Sequence, residues 1–78
     1  MEIINRHFYT DGIGALYTVR YGRGEYEVLI FPDVNYAGVL RTDVYDTETG
    51  HPLDSNWPMC REMIELTRDA YDAEKSYR

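Results

Sequence analysis

The chain has a single cysteine, Cys60, among its 78 residues, so it can form no internal disulfide. Its two histidines, His7 and His51, are far apart in sequence, and there is no Cys/His cluster with zinc spacing. The usual staples of a small domain, disulfides and structural metals, are thus excluded. Stability must come from packing or from a partner chain. A free cysteine without a disulfide fits a reducing compartment, and a cytoplasmic location is expected. No run of eighteen apolar residues exists to suggest a membrane span. The opening residues 1–6 lack the apolar stretch behind a basic start that marks a secretory signal.

Positive charge is also scarce. Lys75 is the only lysine, and the formal net charge is −6. Nucleic-acid binders draw much of their affinity from phosphate contacts, so direct nucleic-acid binding is not expected. Gly12-Ile13-Gly14 and Gly22-Arg23-Gly24 lack the lysine and hydroxyl of a phosphate-binding loop. Arg20, Arg23 and Arg41 form a small basic set near Tyr17, Tyr21 and Tyr26, but strand alternation sends Arg20 and these tyrosines to opposite faces.

Aromatic residues are plentiful. Eight tyrosines accompany Phe8, Phe31 and Trp57, and tyrosine combines a large apolar ring with a polar tip. Residues 2–10 read as a first strand, followed by a turn at Asp11-Gly12-Ile13-Gly14. Residues 15–21 and 25–31 are rich in β-branched and aromatic types on either side of Gly22-Arg23-Gly24, which reads as a hairpin. A two-residue loop at Arg23-Gly24 pairs Tyr21 with Tyr26, Val19 with Val28 and Tyr17 with Ile30 on one face. On the other face it sets Arg20 against Glu27 and Leu16 against Phe31. A slip of one residue would invert the faces. Pro32 closes that strand, and residues 39–45 read as the next. Residues 46–56 read as a polar loop.

The remainder predicts a helix, capped by Ser55 or Asn56 with Pro58 in its first turn. Met59, Met63, Leu66, Ala70, Ala73 and Tyr77 recur at three- and four-residue steps and are assigned to the sheet. Cys60, Ile64, Thr67 and Tyr71 form a second stripe. Glu62, Glu65, Asp69 and Asp72 form an acidic row. The expected fold is α+β over residues 1–78 as one domain. It consists of an antiparallel meander of three to four strands with one C-terminal helix packed on one face (β-β-β-β-α).

Three local patterns bear on chemistry. Val44-Tyr45-Asp46-Thr47-Glu48-Thr49-Gly50 resembles the first motif of the DnaQ-like exonucleases, in which a strand ends in Asp-x-Glu. The resemblance covers these seven residues; it implies that Asp46 and Glu48 would help hold paired metal ions. The preceding strands lack that family's parallel α/β order, and the competing reading is a turn built by Asp, Thr and Gly. Asp43, Asp46, Glu48 and Asp54 offer hard oxygen ligands but lack EF-hand spacing. Cys60 sits in the first turn of the predicted helix, where the dipole could lower its pKa, with His51 upstream; buried packing is the expected role. Neither catalysis nor a cofactor is expected.

Charge is distributed unevenly. Residues 1–41 carry five acids and four bases, and residues 42–78 carry nine acids and four bases. The excess lies at Asp43, Asp46, Glu48 and Asp54 and on the helix row Glu62, Glu65, Asp69 and Asp72. A charged helix row is often only a solvated face; its functional alternative is a surface steered toward a basic partner. The expectation is a non-enzymatic, protein-binding module whose interface is Asp43, Asp46, Glu48, Glu62, Glu65, Asp69 and Asp72. Its partner would be a larger protein or ribonucleoprotein with a basic surface. Compact, acidic, motif-free chains of this type are typical of phage and mobile-element inhibitors, anti-CRISPR proteins among them, and occupying a basic surface as a nucleic-acid mimic would block a nucleic-acid-handling host complex. The alternative is a homo-oligomer, possible as a homodimer, paired through Cys60, Ile64 and Tyr71.

Overall fold

Alternating aromatic and β-branched residues build the central strands, and each strand turns back on its neighbour. The computed structural model describes residues 1–9 and 14–75. In chain order it contains β1 (Glu2–Phe8), β2 (Ala15–Tyr21), β3 (Gly24–Pro32), β4 (Leu40–Asp46), β5 (Pro52–Leu53) and α1 (Pro58–Lys75). The strands form one antiparallel sheet in the order β1-β2-β3-β4-β5, and α1 packs on one face. This is the expected α+β meander with one strand added. β5 lies inside the segment read as a polar loop; it is two residues long and begins with proline, so it has no alternation to read. Thr10 and the turn residues Asp11, Gly12 and Ile13 lie outside the described residues.

The hairpin register differs from the expected one by two residues. Tyr17 pairs with Val28, Val19 with Tyr26 and Tyr21 with Gly24, so the loop is Gly22-Arg23. Gly22 has φ +61° and no non-glycine residue among the described residues has positive φ, the φ pattern of a type II′ turn with glycine first. Either glycine of Gly22-Arg23-Gly24 could have supplied that φ, so the sequence alone did not choose between the two registers. A slip of two preserves the faces: Tyr17, Val19, Val28 and Ile30 all lie beneath the helix, fully buried. The opposite-face pairs change. Arg20 stands across from Glu25 and Leu16 from Leu29, and the Arg20 guanidinium bonds Glu2 at 3.2 Å rather than Glu27.

The helix is turned about 90° around its axis from the expected setting, at 100° per residue. Cys60, Met63, Thr67 and Tyr71 are buried, whereas Ala73 is exposed and Met59, Leu66 and Ala70 are half-buried; Tyr77 lies outside the described residues. The stripe with more apolar residues includes two alanines, which bury little area. The stripe through Tyr71 buries a large ring, and its polar member costs little. The Thr67 hydroxyl donates to the Met63 carbonyl at 2.8 Å, so it enters the core with a partner. Neither Ser55 nor Asn56 is the cap. The first helical hydrogen bond runs from the Arg61 N–H to the Trp57 carbonyl, 2.9 Å, placing Trp57 at the cap and Pro58 at the first helical position.

At the far end of α1, the Phe8 ring stacks on Tyr71 with centroids 6.5 Å apart, and Arg6 forms an ion pair with Glu74. Beneath them the Tyr17 hydroxyl is buried without a hydrogen-bond partner among the described residues. Burial, and then the nearby Glu74 charge, push its pKa up to about 12.

Candidate acidic docking surface

Helix periodicity places the four helix carboxylates. With Cys60, Met63, Thr67 and Tyr71 facing the sheet, Glu62, Glu65, Asp69 and Asp72 fall about 180° away, at 100° per residue. All four are exposed. From Glu62 to Asp72 is ten helical steps, so one negative charge recurs about every 5 Å along the axis. The row is a ridge between two grooves. One, of about 490 Å³, runs beside Ile64, Arg61 and Arg68 toward Thr42. The other, of about 310 Å³, lies between the row and Met1 and Leu66.

Arg61 and Arg68 stand one turn from Glu65 and Asp72, the spacing of a helix ion pair. Neither pair closes. Among the described residues the ion pairs are Arg6–Glu74 and Arg20–Glu2. The ridge instead receives a neutral donor: the Tyr21 hydroxyl donates to Glu62 Oε2 at 2.6 Å. That bond to a carboxylate pushes the Tyr21 pKa up.

The other candidate carboxylates divide among separate places. Asp46 builds the turn after β4. Its Oδ1 accepts the Glu48 N–H at 2.8 Å, its carbonyl accepts the Gly50 N–H at 2.8 Å, and its N–H donates to the His51 carbonyl at 3.1 Å. The Thr47 hydroxyl donates to the Glu25 carbonyl at 2.9 Å. This is the geometry of the turn reading. Glu48 is exposed at the tip. Asp54 Oδ1 accepts the Asn56 N–H at 2.9 Å just before the helix. Asp43 pairs with Leu29 and alternates with the buried Val44, so it lies on the sheet face opposite the helix. The seven expected interface carboxylates are therefore not one surface: the four on α1 are contiguous, Asp46 and Glu48 form a turn, and Asp43 is across the sheet. Among the described residues no three His, Cys, Asp or Glu side chains converge in a metal-binding group.

Cys60 is fully buried, and burial, then the Asp54 charge, raise its pKa. This is opposite to the lowering a helix dipole would give. With Tyr71 also in the core, the Cys60–Tyr71 stripe is not available for pairing between chains. Arg41 lies over the Phe31 ring at 5.9 Å, and Tyr17 is buried, so the arginine–tyrosine set is not a single patch.

Several exposed features were not assigned from sequence. Val34 and Tyr36, 96% and 67% exposed, project from the loop between β3 and β4, and Trp57 is half exposed at the helix start. The face away from α1 carries Leu16, Leu29 and Phe31 with no element over them among the described residues. Alternation had identified this second face but not whether anything covers it. No helix among the described residues is long and apolar enough to cross a membrane. Compared with protein-family models, with curated proteins and with solved structures, the chain matches none.

Proposed function

We propose that the chain is a non-enzymatic binding module of the cytoplasm that docks on the basic surface of a larger protein or ribonucleoprotein. The contact is the ridge Glu62, Glu65, Asp69 and Asp72, with Asp46 and Glu48 as a secondary acidic point. The observation that carries the reading is the unneutralised charge of that ridge: its acids have no arginine partner among the described residues. Such a field steers encounter with a cationic surface. A charge about every 5 Å is of the same order as the phosphate spacing of about 3.4 Å per strand in DNA. A surface built to hold nucleic acid is thus a suitable complement, and the module would block it in the manner of phage and mobile-element inhibitors.

Pull-down from cell extract with mass spectrometry tests this. Capture should be lost in Glu65→Lys with Asp69→Lys, weakened by Asp46→Lys with Glu48→Lys, and displaced by added DNA or RNA. Capture that survives both charge reversals removes the acidic surface as the interface.

A second reading, a homo-oligomeric module, draws on the uncovered sheet face, with Leu16, Leu29 and Phe31 half-buried. Size-exclusion chromatography with light scattering separates the two. A monomer across micromolar concentrations eliminates the oligomer.

A further inference from the structure

The sheet has one outer edge that is guarded and one that is partly bare. β1 is interrupted by a bulge between Ile3 and Asn5, and its Arg6 N–H is taken by Asn5 Oδ1 at 2.9 Å. Bulges and local capping of this kind prevent a strand edge from pairing with another chain. The other side differs. β5 covers only Val44 and Tyr45 of β4. Because the Asp46 N–H donates to His51, backbone alternation turns the N–H and C=O groups of Val44, Thr42 and Leu40 the same way, outward. Leu53 answers Val44. Nothing among the described residues answers Thr42 or Leu40, because the chain leaves the sheet at Asp54 to begin the helix.

The groove of about 490 Å³ opens at one end of this bare stretch, between Thr42, Ser55 and the flank of α1. Ile64 is half-buried at its base. Around the helix, Arg68 and Arg61 come next, before the acids Asp72, Glu65 and Asp69 that form its outer rim. Neither arginine is ion-paired among the described residues.

We propose that the outer edge of β4 at residues 40–43, with the groove beside it, accepts an extended segment of a partner polypeptide as an added strand. Main-chain pairing with Leu40 and Thr42 supplies the attachment, and every second side chain of the segment faces the helix. Those side chains recur about every 6.6 Å. An apolar residue fits over Ile64, and a carboxylate two positions away meets the unpaired guanidinium of Arg68 or Arg61. The complementarity is thus of two kinds, backbone donor to backbone acceptor and arginine to carboxylate. A second copy of the chain is a poorer occupant, because its β1 edge is guarded. The groove shares Glu65, Asp69 and Asp72 with the acidic ridge, but the β4 edge binds through backbone pairing, which docking of the ridge on a basic surface does not require.

The test uses a displayed library of short random linear peptides selected on the immobilised protein. The best binder is then synthesised and followed by amide hydrogen exchange and NMR. Selected sequences should alternate apolar and acidic residues, and the bound peptide should protect the Leu40 and Thr42 amides. N-methylating alternate peptide amides should weaken binding about tenfold, the loss of roughly one hydrogen bond. Arg68→Ala should weaken it similarly, while Glu48→Lys, exposed at the tip of the turn after β4 and outside the groove, leaves it within about twofold. Because N-methylation alters only the peptide, the result does not depend on a strand variant that fails to fold. The proposal is overturned if the library yields no binder or if protection appears at β1 or on the ridge. It is equally overturned if N-methylation has no effect, or if sedimentation shows two copies pairing through β4.

Discussion

The Tyr21 hydroxyl donates a 2.6 Å hydrogen bond to Glu62 Oε2, tying the end of β2 to the start of α1. The contact holds one carboxylate of the ridge in place through a neutral donor. An arginine there would hold the same carboxylate and cancel its charge. The bond also stabilises the protonated phenol, so Tyr21 releases its proton at higher pH than a free tyrosine. Anchoring without neutralising is what a charged docking surface requires.

The rotational setting of α1 predicts two opposite mutational outcomes. Met63 is fully buried, so Met63→Ala should cost about 2–5 kcal/mol, the usual range for truncating a buried methionine. Ala73 is exposed, so Ala73→Glu should stay within about 0.5 kcal/mol of the parent. Urea unfolding midpoints read both. Equal losses at the two positions would return the helix to the setting with Ala73 against the sheet.

Tyr17 makes a pH prediction. A buried hydroxyl without a partner is itself a penalty, so Tyr17→Phe should raise stability at neutral pH. Above pH 10 the unfolded chain releases the tyrosine proton, while the folded chain keeps it to about pH 12. The unfolded state then binds fewer protons, and stability falls as pH rises through that window. The phenylalanine variant lacks this loss, so its advantage should widen between pH 10 and 12. Urea midpoints compared across that range test it, and a constant gap contradicts the raised proton affinity.

Gly14 should be less replaceable than Gly22. Both have positive φ, but a Cβ on Gly14 would lie 2.5 Å from the Ile30 carbonyl oxygen, whereas one on Gly22 meets nothing within 4 Å. Gly22→Ala should lose about 1 kcal/mol from backbone strain alone. Gly14→Ala should lose more, since the backbone of β3 must also move. Thermal unfolding of both variants checks the order.

Much of the fold could be read from the residues because side-chain period is local. Alternation in residues 15–21 and 25–31 correctly gave which side chains share the helix-facing side, and this survived a two-residue error in register. The error came from the symmetry of Gly22-Arg23-Gly24. Both glycines permit the φ that the turn needs, so the local residues do not choose between them. The helix setting was missed for a similar reason. Counting apolar residues favours Ala70 and Ala73, and only the bond from Thr67 to the Met63 carbonyl shows why a threonine belongs in the core. The helix ridge was fully legible, since spacing alone places Glu62, Glu65, Asp69 and Asp72 together. The place of Asp43 was only half legible: alternation sets it on the face opposite Val44, but does not say which of the two faces the helix covers. The bare edge of β4 was also hidden: it depends on how far β5 runs before the chain turns away.

The most direct measurement is the salt dependence of affinity between the captured partner and the chain, compared with the variant Glu65→Lys with Asp69→Lys. If the ridge is the docking surface, affinity of the parent falls steeply as salt rises, and the variant binds at least about a hundredfold more weakly, the loss of roughly 3 kcal/mol across two charge reversals. Equal affinity in both proteins, with no salt dependence in either, would contradict the account.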